Sequence, residues 1–142
     1  MRLISLLLLQ ILTIGYIVLS GPVITQNIIV LSFEVFALFL IIWTLWTIKF
    51  DKFSLYNPRL IKSRLIPKGP FVYIRHPVYT AFLILAVCWM INYFSILRLL
   101  AFLILVVSVI MSVSYYESIL SRKLNDFGLY KQKTYRLIPF VY

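Results

Sequence analysis

Long apolar runs, separated by short polar or basic segments, dominate the chain. Apolar runs cover residues 3–19 and 28–48, and a third covers 77–116 with Arg98 as its single charge. A backbone in lipid must satisfy its own hydrogen bonds, so a spanning segment is either a helix or part of a closed barrel. None of the runs alternates between apolar and polar positions as barrel strands do. The pattern therefore predicts an all-α chain.

The third run is too long for one straight helix. At 1.5 Å per residue it would extend roughly 60 Å, about twice the hydrocarbon thickness of a bilayer. We place a turn at its polar cluster, residues 92–95, which gives spans at about 78–94 and 97–116. The chain is thus predicted to be a single domain, residues 1–142, forming an integral membrane bundle of about four transmembrane helices.

The first run has a second interpretation. Arg2 followed by residues 3–19 also fits a secretory signal peptide. We expect a retained helix, because the segment before the run carries only this one Arg.

Composition and charge agree with a membrane protein. The sequence is 63% hydrophobic and 13% charged, more apolar than a soluble domain of 142 residues can bury. Of the 14 Lys and Arg, all but Arg98 lie at position 2, in the loop 49–77 or in the tail 117–142. Four spans would place these on one face, which the positive-inside rule makes cytoplasmic, together with both termini. The same charges favour anionic lipid headgroups as partners rather than nucleic acid.

The start of the tail continues a helical pattern. Glu117, Leu120, Leu124 and Phe127 are spaced three or four residues apart. This spacing predicts a C-terminal amphipathic helix at the membrane interface.

Candidate chemistry begins where the third span begins. Gly69 and Pro70 predict a turn, and Pro77 is suited to the first position of a helix. Arg75 and His76 would then lie at the positive end of a helix, where an anion binds favourably.

Glu117 is the second candidate. If residues 78–116 fold back, Glu117 emerges beside His76, the only histidine of the sequence. A simple ion pair would explain the same residues. With one His and the single Cys88, the sequence predicts no metal site.

Two segments carry a resemblance to a known family. They are Gly69-Pro70-Phe71-Val72-Tyr73-Ile74-Arg75-His76-Pro77-Val78-Tyr79 and, after the hairpin, Glu117, Phe127, Tyr130 and Arg136-Leu137-Ile138-Pro139. Together they resemble the superfamily of isoprenylcysteine carboxyl methyltransferases and phospholipid methyltransferases, over about residues 65–142. These are integral membrane enzymes that use S-adenosylmethionine, so the resemblance implies that cofactor, an active site at the cytoplasmic face and a lipidic or prenylated acceptor from the bilayer.

The resemblance also implies site residues. The candidate catalytic residues are Arg75, Glu117 and Arg136, and the candidate cofactor-binding residues are Tyr73, His76, Pro77, Tyr79, Glu117 and Tyr130. His76 and Tyr79 would contact the methionine or ribose part of the cofactor. Arg75 would pair with a carboxylate, and Glu117 would hold the cofactor's amino group or ribose. Ala81 stands where the family often has Gly, and Tyr116 stands where it often has a second Glu, which puts in doubt a mechanism that needs two acids.

The acceptor is open at this point. Many cations and few acids around the motif favour methylation of a carboxylate, which needs positioning but no base. Methylation of a phospholipid amine is the alternative. Two further alternatives are an NADPH-dependent sterol or steroid reductase, suggested by the tail ending Ile138-Pro139-Phe140, and a non-catalytic membrane interaction protein.

Overall fold

The computed structural model describes residues 2–50, 68–123 and 127–138. Within these ranges the chain forms five α-helices and no strand. They are α1 (Arg2–Leu19), α2 (Ile28–Phe50), α3 (Pro77–Asn92), α4 (Ile96–Lys123) and α5 (Phe127–Lys133), with a 3₁₀ turn at Gly69–Val72 before α3. The all-α prediction is confirmed for this part of the chain. Most of the basic loop, Leu124 and Phe140 lie outside the described residues.

Two of the four predicted spans are long and apolar enough to cross a bilayer, judged by length and composition. They are Ile28–Lys49 and Ile96–Arg122. The apolar parts of α1 and α3, Leu3–Leu19 and Pro77–Asn92, are shorter. A helix the length of α3, 16 residues, extends about 24 Å, less than the roughly 30 Å of a typical hydrocarbon core. The prediction of four full spans is therefore supported only in part.

The helix ends differ most from the prediction at α4. The turn between α3 and α4 consists of residues 93–95, inside the predicted turn. However, α4 continues to Lys123, seven residues beyond the predicted span end at 116. The tail also contains α5, and residues 124–126 between α4 and α5 lie outside the described residues.

The helices pack in two pairs, α1 with α4 and α2 with α3. Small side chains allow the close approach of α2 and α3, because Ala37 and Ala81 belong to one buried apolar cluster and both are fully buried. Ala81 thus keeps the close packing expected of the family's Gly. Between α1 and α4, the buried Gln10 Nε2 donates to Ser112 Oγ at 2.9 Å.

Arg98 closes the end of the bundle that carries the α3–α4 turn. Its side chain is only 1% exposed. It donates to Ser20 Oγ at 2.8 Å, to the Trp89 carbonyl at 2.8 Å and to the Tyr93 carbonyl at 2.7 Å, and also to the Ile17 carbonyl. These acceptors lie at or just beyond the C-terminal ends of α1 and α3, where the negative end of the helix dipole attracts a cation. Arg98 therefore joins the ends of α1 and α3 to the start of α4.

Candidate functional site

A glycine turn brings the motif before α3 against the end of α2. Gly69 has φ +56°, a left-handed conformation that side chains other than Gly adopt at a cost. A Cβ at this position would also collide with the Thr47 side chain of α2. Pro77 then starts α3, leaving His76 as the residue that precedes the first helical turn. The sequence thus fixes where Arg75 and His76 lie relative to α2.

Glu117 is the centre of the cluster that forms at this end of the bundle. Its Oε1 accepts from Arg75 Nε at 2.8 Å, and its Oε2 accepts from Arg136 Nε at 2.9 Å and Arg136 Nη2 at 2.8 Å. His76 Nε2 lies 3.6 Å from Oε1, beyond ordinary hydrogen-bond distance. The predicted approach of His76 and Glu117 is confirmed. The three elements that meet here are the start of α3, the end of α4 and the segment after α5.

The segment 127–138, which we call the strap, lies across the start of α3. Arg75 N donates to the Tyr135 carbonyl at 2.8 Å, and Tyr135 N donates to the Tyr73 carbonyl at 2.9 Å. Thr80 Oγ1 donates to the Leu137 carbonyl at 2.7 Å. The strap is therefore attached to the motif through both backbone and side-chain groups.

Inside the strap, α5 turns its apolar face toward the bundle. Phe127 and Tyr130 are 3% and 6% exposed. Tyr130 Oη donates to the Phe71 carbonyl at 2.9 Å. Burial raises the pKa of the Tyr130 phenol, although the nearby Arg75 opposes this. Tyr130 is therefore a neutral donor that holds the strap to the 3₁₀ turn.

Among the described residues, two guanidinium groups face the one carboxylate of Glu117. This part of the cluster therefore carries more positive than negative charge, even when His76 is neutral. Glu117 and Arg75 have side chains only 5% and 7% exposed, whereas the Arg136 side chain is 20% exposed. Buried charges of this kind need close partners. The excess charge is therefore most accessible at Arg136.

His76 has an unusual environment. Its side chain is 12% exposed, and its Nε2 makes no hydrogen bond with any of the residues that the structure describes. Buried polar atoms are normally hydrogen-bonded, so an unbonded nitrogen indicates a place for a ligand atom or water. The Tyr79 ring lies 6.2 Å from the His76 ring, one turn into α3.

The other predicted residues differ in how far they take part in the cluster. Pro77 is buried at the first position of α3. The Tyr73 side chain is 64% exposed, and only its backbone carbonyl takes part in the contacts described above. Glu34, buried in α2, has an Oε1 without a partner among the described residues and is not part of this cluster.

Two threonines of the site were missed by the sequence reasoning. Thr134 donates to the Tyr130 carbonyl at 2.7 Å and accepts from Arg75 Nη1 at 3.2 Å. Thr80 holds the far end of the strap. The spacing of Phe127, Tyr130 and Thr134, three and then four residues, is a helical signal that could have identified Thr134.

In the part of the chain that the structure describes, no three His, Cys, Asp or Glu side chains lie close enough to hold a metal ion.

Comparison with known proteins identifies the family. A phospholipid methyltransferase family model matches residues 25–125. This range includes Arg75, His76 and Glu117 but ends before Tyr130 and Arg136. No curated protein and no solved structure gives a significant match. Because the family model covers more than half of the chain, the protein belongs to the phospholipid methyltransferase family, within the superfamily that also contains the isoprenylcysteine carboxyl methyltransferases.

Proposed function

We propose that this protein transfers a methyl group from S-adenosylmethionine to a lipidic acceptor at the cytoplasmic face of a membrane. The observation that carries the proposal is the cluster of Arg75, His76, Glu117 and Arg136, which joins the start of α3, the end of α4 and the strap. The family match supports methyl transfer and a lipid substrate.

The residues present fit S-adenosylmethionine. This cofactor carries a carboxylate, an amino group and a ribose, beside a methyl group activated on a sulfonium, which is the chemistry it supplies when bound. The unbonded His76 Nε2 and the adjacent Tyr79 would face the methionine or ribose part. The excess positive charge at Arg136 suits a carboxylate. Tyr130 acts indirectly, by holding the strap.

The protein's own contribution is orientation and exclusion of water. Methyl transfer from a sulfonium needs the acceptor atom in line with the breaking bond, and a positioned pair gains much of the rate from proximity. An anionic acceptor is already a nucleophile and needs only a cation to hold it. Glu117 already accepts from two arginines, so it is poorly suited to remove a proton. These contacts favour a carboxylate acceptor.

Methylation of a phospholipid amine is the second candidate. It is favoured by the family that the chain matches. An ammonium headgroup must lose a proton before it attacks, and the unbonded His76 Nε2 is the base that the structure offers. The two candidates therefore differ in whether His76 acts on the acceptor or on the cofactor.

The cytoplasmic location is proposed from charge. The end of the bundle that carries the cluster also carries the cations of the strap and of the end of α4, namely Arg122, Lys131, Lys133 and Arg136. The other end carries Arg98. The positive-inside rule places the cluster at the cytoplasmic face, and the exposed lysines of α5 would contact anionic headgroups.

The test uses the purified protein in lipid nanodiscs with S-adenosylmethionine carrying a labelled methyl group. Separate reactions offer prenylated cysteine, fatty acid and phosphatidylethanolamine, and the labelled product is identified. We expect His76→Ala and Glu117→Ala to lose cofactor binding while the protein still inserts. Phe94→Ala, which removes an exposed ring at the opposite end, serves as the control.

Unchanged cofactor affinity in both variants would contradict the assigned site. A folded wild-type protein that binds NADPH instead would indicate a reductase, and one that binds neither cofactor would indicate a non-catalytic membrane protein.

A further inference from the structure

Arg75 links Glu117 to the strap, and its own side chain is buried. Its Nε donates to Glu117 at 2.8 Å, and its Nη1 donates to the Lys131 carbonyl at 3.1 Å and also to the Thr134 carbonyl. Two of these acceptors are backbone groups at the end of α5 and just after it, where helix carbonyls have no helical partners. Arg75 therefore satisfies the end of α5 and Glu117 at the same time.

Arg136 differs from Arg75 in two respects. Both of its donors to Glu117, Nε and Nη2, go to the same oxygen, Oε2. Its side chain is about three times as exposed as that of Arg75, 20% against 7%. A ligand anion that approaches the cluster therefore meets Arg136 before Arg75.

The position of Arg136 depends on the strap. Its neighbours in sequence, Tyr135 and Leu137, are held by the Arg75 and Tyr73 backbone and by Thr80. Arg75 adds the side-chain attachment at Lys131 and Thr134. Loss of the Arg75 contacts would loosen the segment that carries Arg136 without removing Arg136 itself.

We propose that Arg75 is a positioning residue, which fastens the strap and, through Glu117, orients Arg136 toward the anionic group of a bound ligand. This role differs from direct pairing of Arg75 with a ligand carboxylate, which the family resemblance implies. The ligand group is a carboxylate or phosphate, from either the cofactor or the acceptor. The proposal rests on the proposed function for the ligand, whereas the fastening of the strap is independent of it.

The fastening is tested first, by hydrogen exchange of the backbone amides of Arg75 and Tyr135. Arg75→Lys keeps the charge but loses the fork of donors that bonds Glu117 and the strap together. Thr134→Val removes one acceptor with little change of shape. We expect exchange at the Tyr135 amide to become about tenfold faster in each variant, since a hydrogen bond to a charged group is worth more than 1 kcal/mol.

The matched control is Thr44→Val. Thr44 is fully buried in α2 and its hydroxyl bonds only the Leu40 carbonyl one turn away, among the contacts that the structure describes. We expect exchange in the strap to be unchanged in this variant. Equal exchange at Tyr135 in wild-type protein and Arg75→Lys would overturn the proposal, whatever the enzymatic activity.

The orientation of Arg136 is tested by ligand binding. Dissociation constants are measured for S-adenosylmethionine and for its decarboxylated analogue, and KM is measured for an anionic acceptor. If the anion is the cofactor's carboxylate, we expect Arg75→Lys and Arg136→Lys each to lose the preference for the carboxylated form. If the anion belongs to the acceptor, we expect KM for that acceptor to rise about tenfold in both variants. The preference for S-adenosylmethionine over its decarboxylated analogue is then kept.

A purely structural role gives a different result. Arg75→Lys would then lower the melting temperature and the active fraction, with the cofactor preference and KM equal to those of the wild type, and the proposal would be wrong. If wild-type protein neither binds S-adenosylmethionine nor transfers methyl groups, the proposed function fails, and the exchange experiment still decides whether Arg75 fastens the strap.

Discussion

At the scale of single residues, Glu117 determines how the site is charged. It holds two guanidinium groups, and His76 lies close to it without a hydrogen bond. The approach of His76 to Glu117 could be predicted, because in a helical hairpin the end of the second helix lies beside the start of the first. The sharing of Glu117 by two arginines could not, since that depends on the path of the chain after α4.

We expect Glu117→Gln to destabilise the protein by about 3 kcal/mol. The variant keeps the shape of the side chain but leaves Arg75 without its buried counter-charge, which is strongly unfavourable. Thermal or denaturant unfolding in detergent measures the change. Adding Arg136→Gln should recover part of the loss, because the two residues are coupled through one carboxylate. Equal stability of wild type and Glu117→Gln would contradict this account.

Tyr130→Phe tests the buried phenol. We expect a loss of about 1 kcal/mol at neutral pH, because the Phe71 carbonyl loses its donor. Burial raises the pKa of Tyr130 in the folded state, so ionisation favours the unfolded chain. The contribution of the Tyr130 hydroxyl to the free energy of unfolding is therefore present below the unfolded pKa of about 10. It is lost progressively as the pH rises above that value.

The measurement is the free energy of unfolding of wild type and variant as a function of pH. The difference between them should shrink at alkaline pH. Tyr73→Phe, at a position 64% exposed, is the control and should follow the wild type. A difference that is independent of pH would show that Tyr130 is not protected by burial.

At the scale of elements, the lengths of the apolar runs predicted where the helices lie but not where all of them end. The α3–α4 turn follows from the polar residues 92–95, since a single helix over the whole third apolar run would be longer than the bilayer is thick. The helical spacing of Glu117, Leu120, Leu124 and Phe127 predicted a helix beyond residue 116, and α4 does continue past that predicted span end, to Lys123. The arginine partners of Glu117 keep its carboxylate inside the helical segment. The position of α5 against the bundle depends on the strap contacts, which no local pattern contains.

The glycine turn gives a prediction at this scale. We expect Gly69→Ala to cost at least about 2 kcal/mol and to reduce activity, because it combines a left-handed backbone with a collision at Thr47. Gly128→Ala is the matched control. No atom lies within 4 Å of its added Cβ and it belongs to α5, so we expect no loss of stability. Unfolding experiments and methyl-transfer rates on both variants check the comparison, and equal behaviour would contradict the role of the turn.

At the scale of the whole molecule, the packing of the helices and their direction of insertion differ in how far the sequence predicts them. The two-pair packing of the helices depends on side-chain fit and could not be read from composition. The direction can be predicted, because it follows from where the cations lie. It decides from which side a water-soluble cofactor can enter.

Topology is measured with single cysteines in a Cys88→Ala background, since Cys88 is the only cysteine of the sequence. We expect a cysteine at exposed Gln132, in the strap, to react with a membrane-impermeant reagent only from the cytoplasmic side. A cysteine at Ile24, 79% exposed between α1 and α2, should react from the opposite side. Labelling of both positions from the same side would rule out the proposed orientation.

The position of Arg98 has a consequence for the membrane around the protein. Arg98 and Glu117 lie 19 positions apart on α4, about 28 Å along its axis, which is close to the thickness of a hydrocarbon core. Each is bonded by polar partners from outside α4, so α4 has a fixed polar contact near both of its ends. A thinner or thicker bilayer cannot be accommodated by sliding α4 past its neighbours, and the lipid must adjust instead. The proposed methyl transfer should therefore be sensitive to acyl-chain length, being fastest where the bilayer matches this spacing.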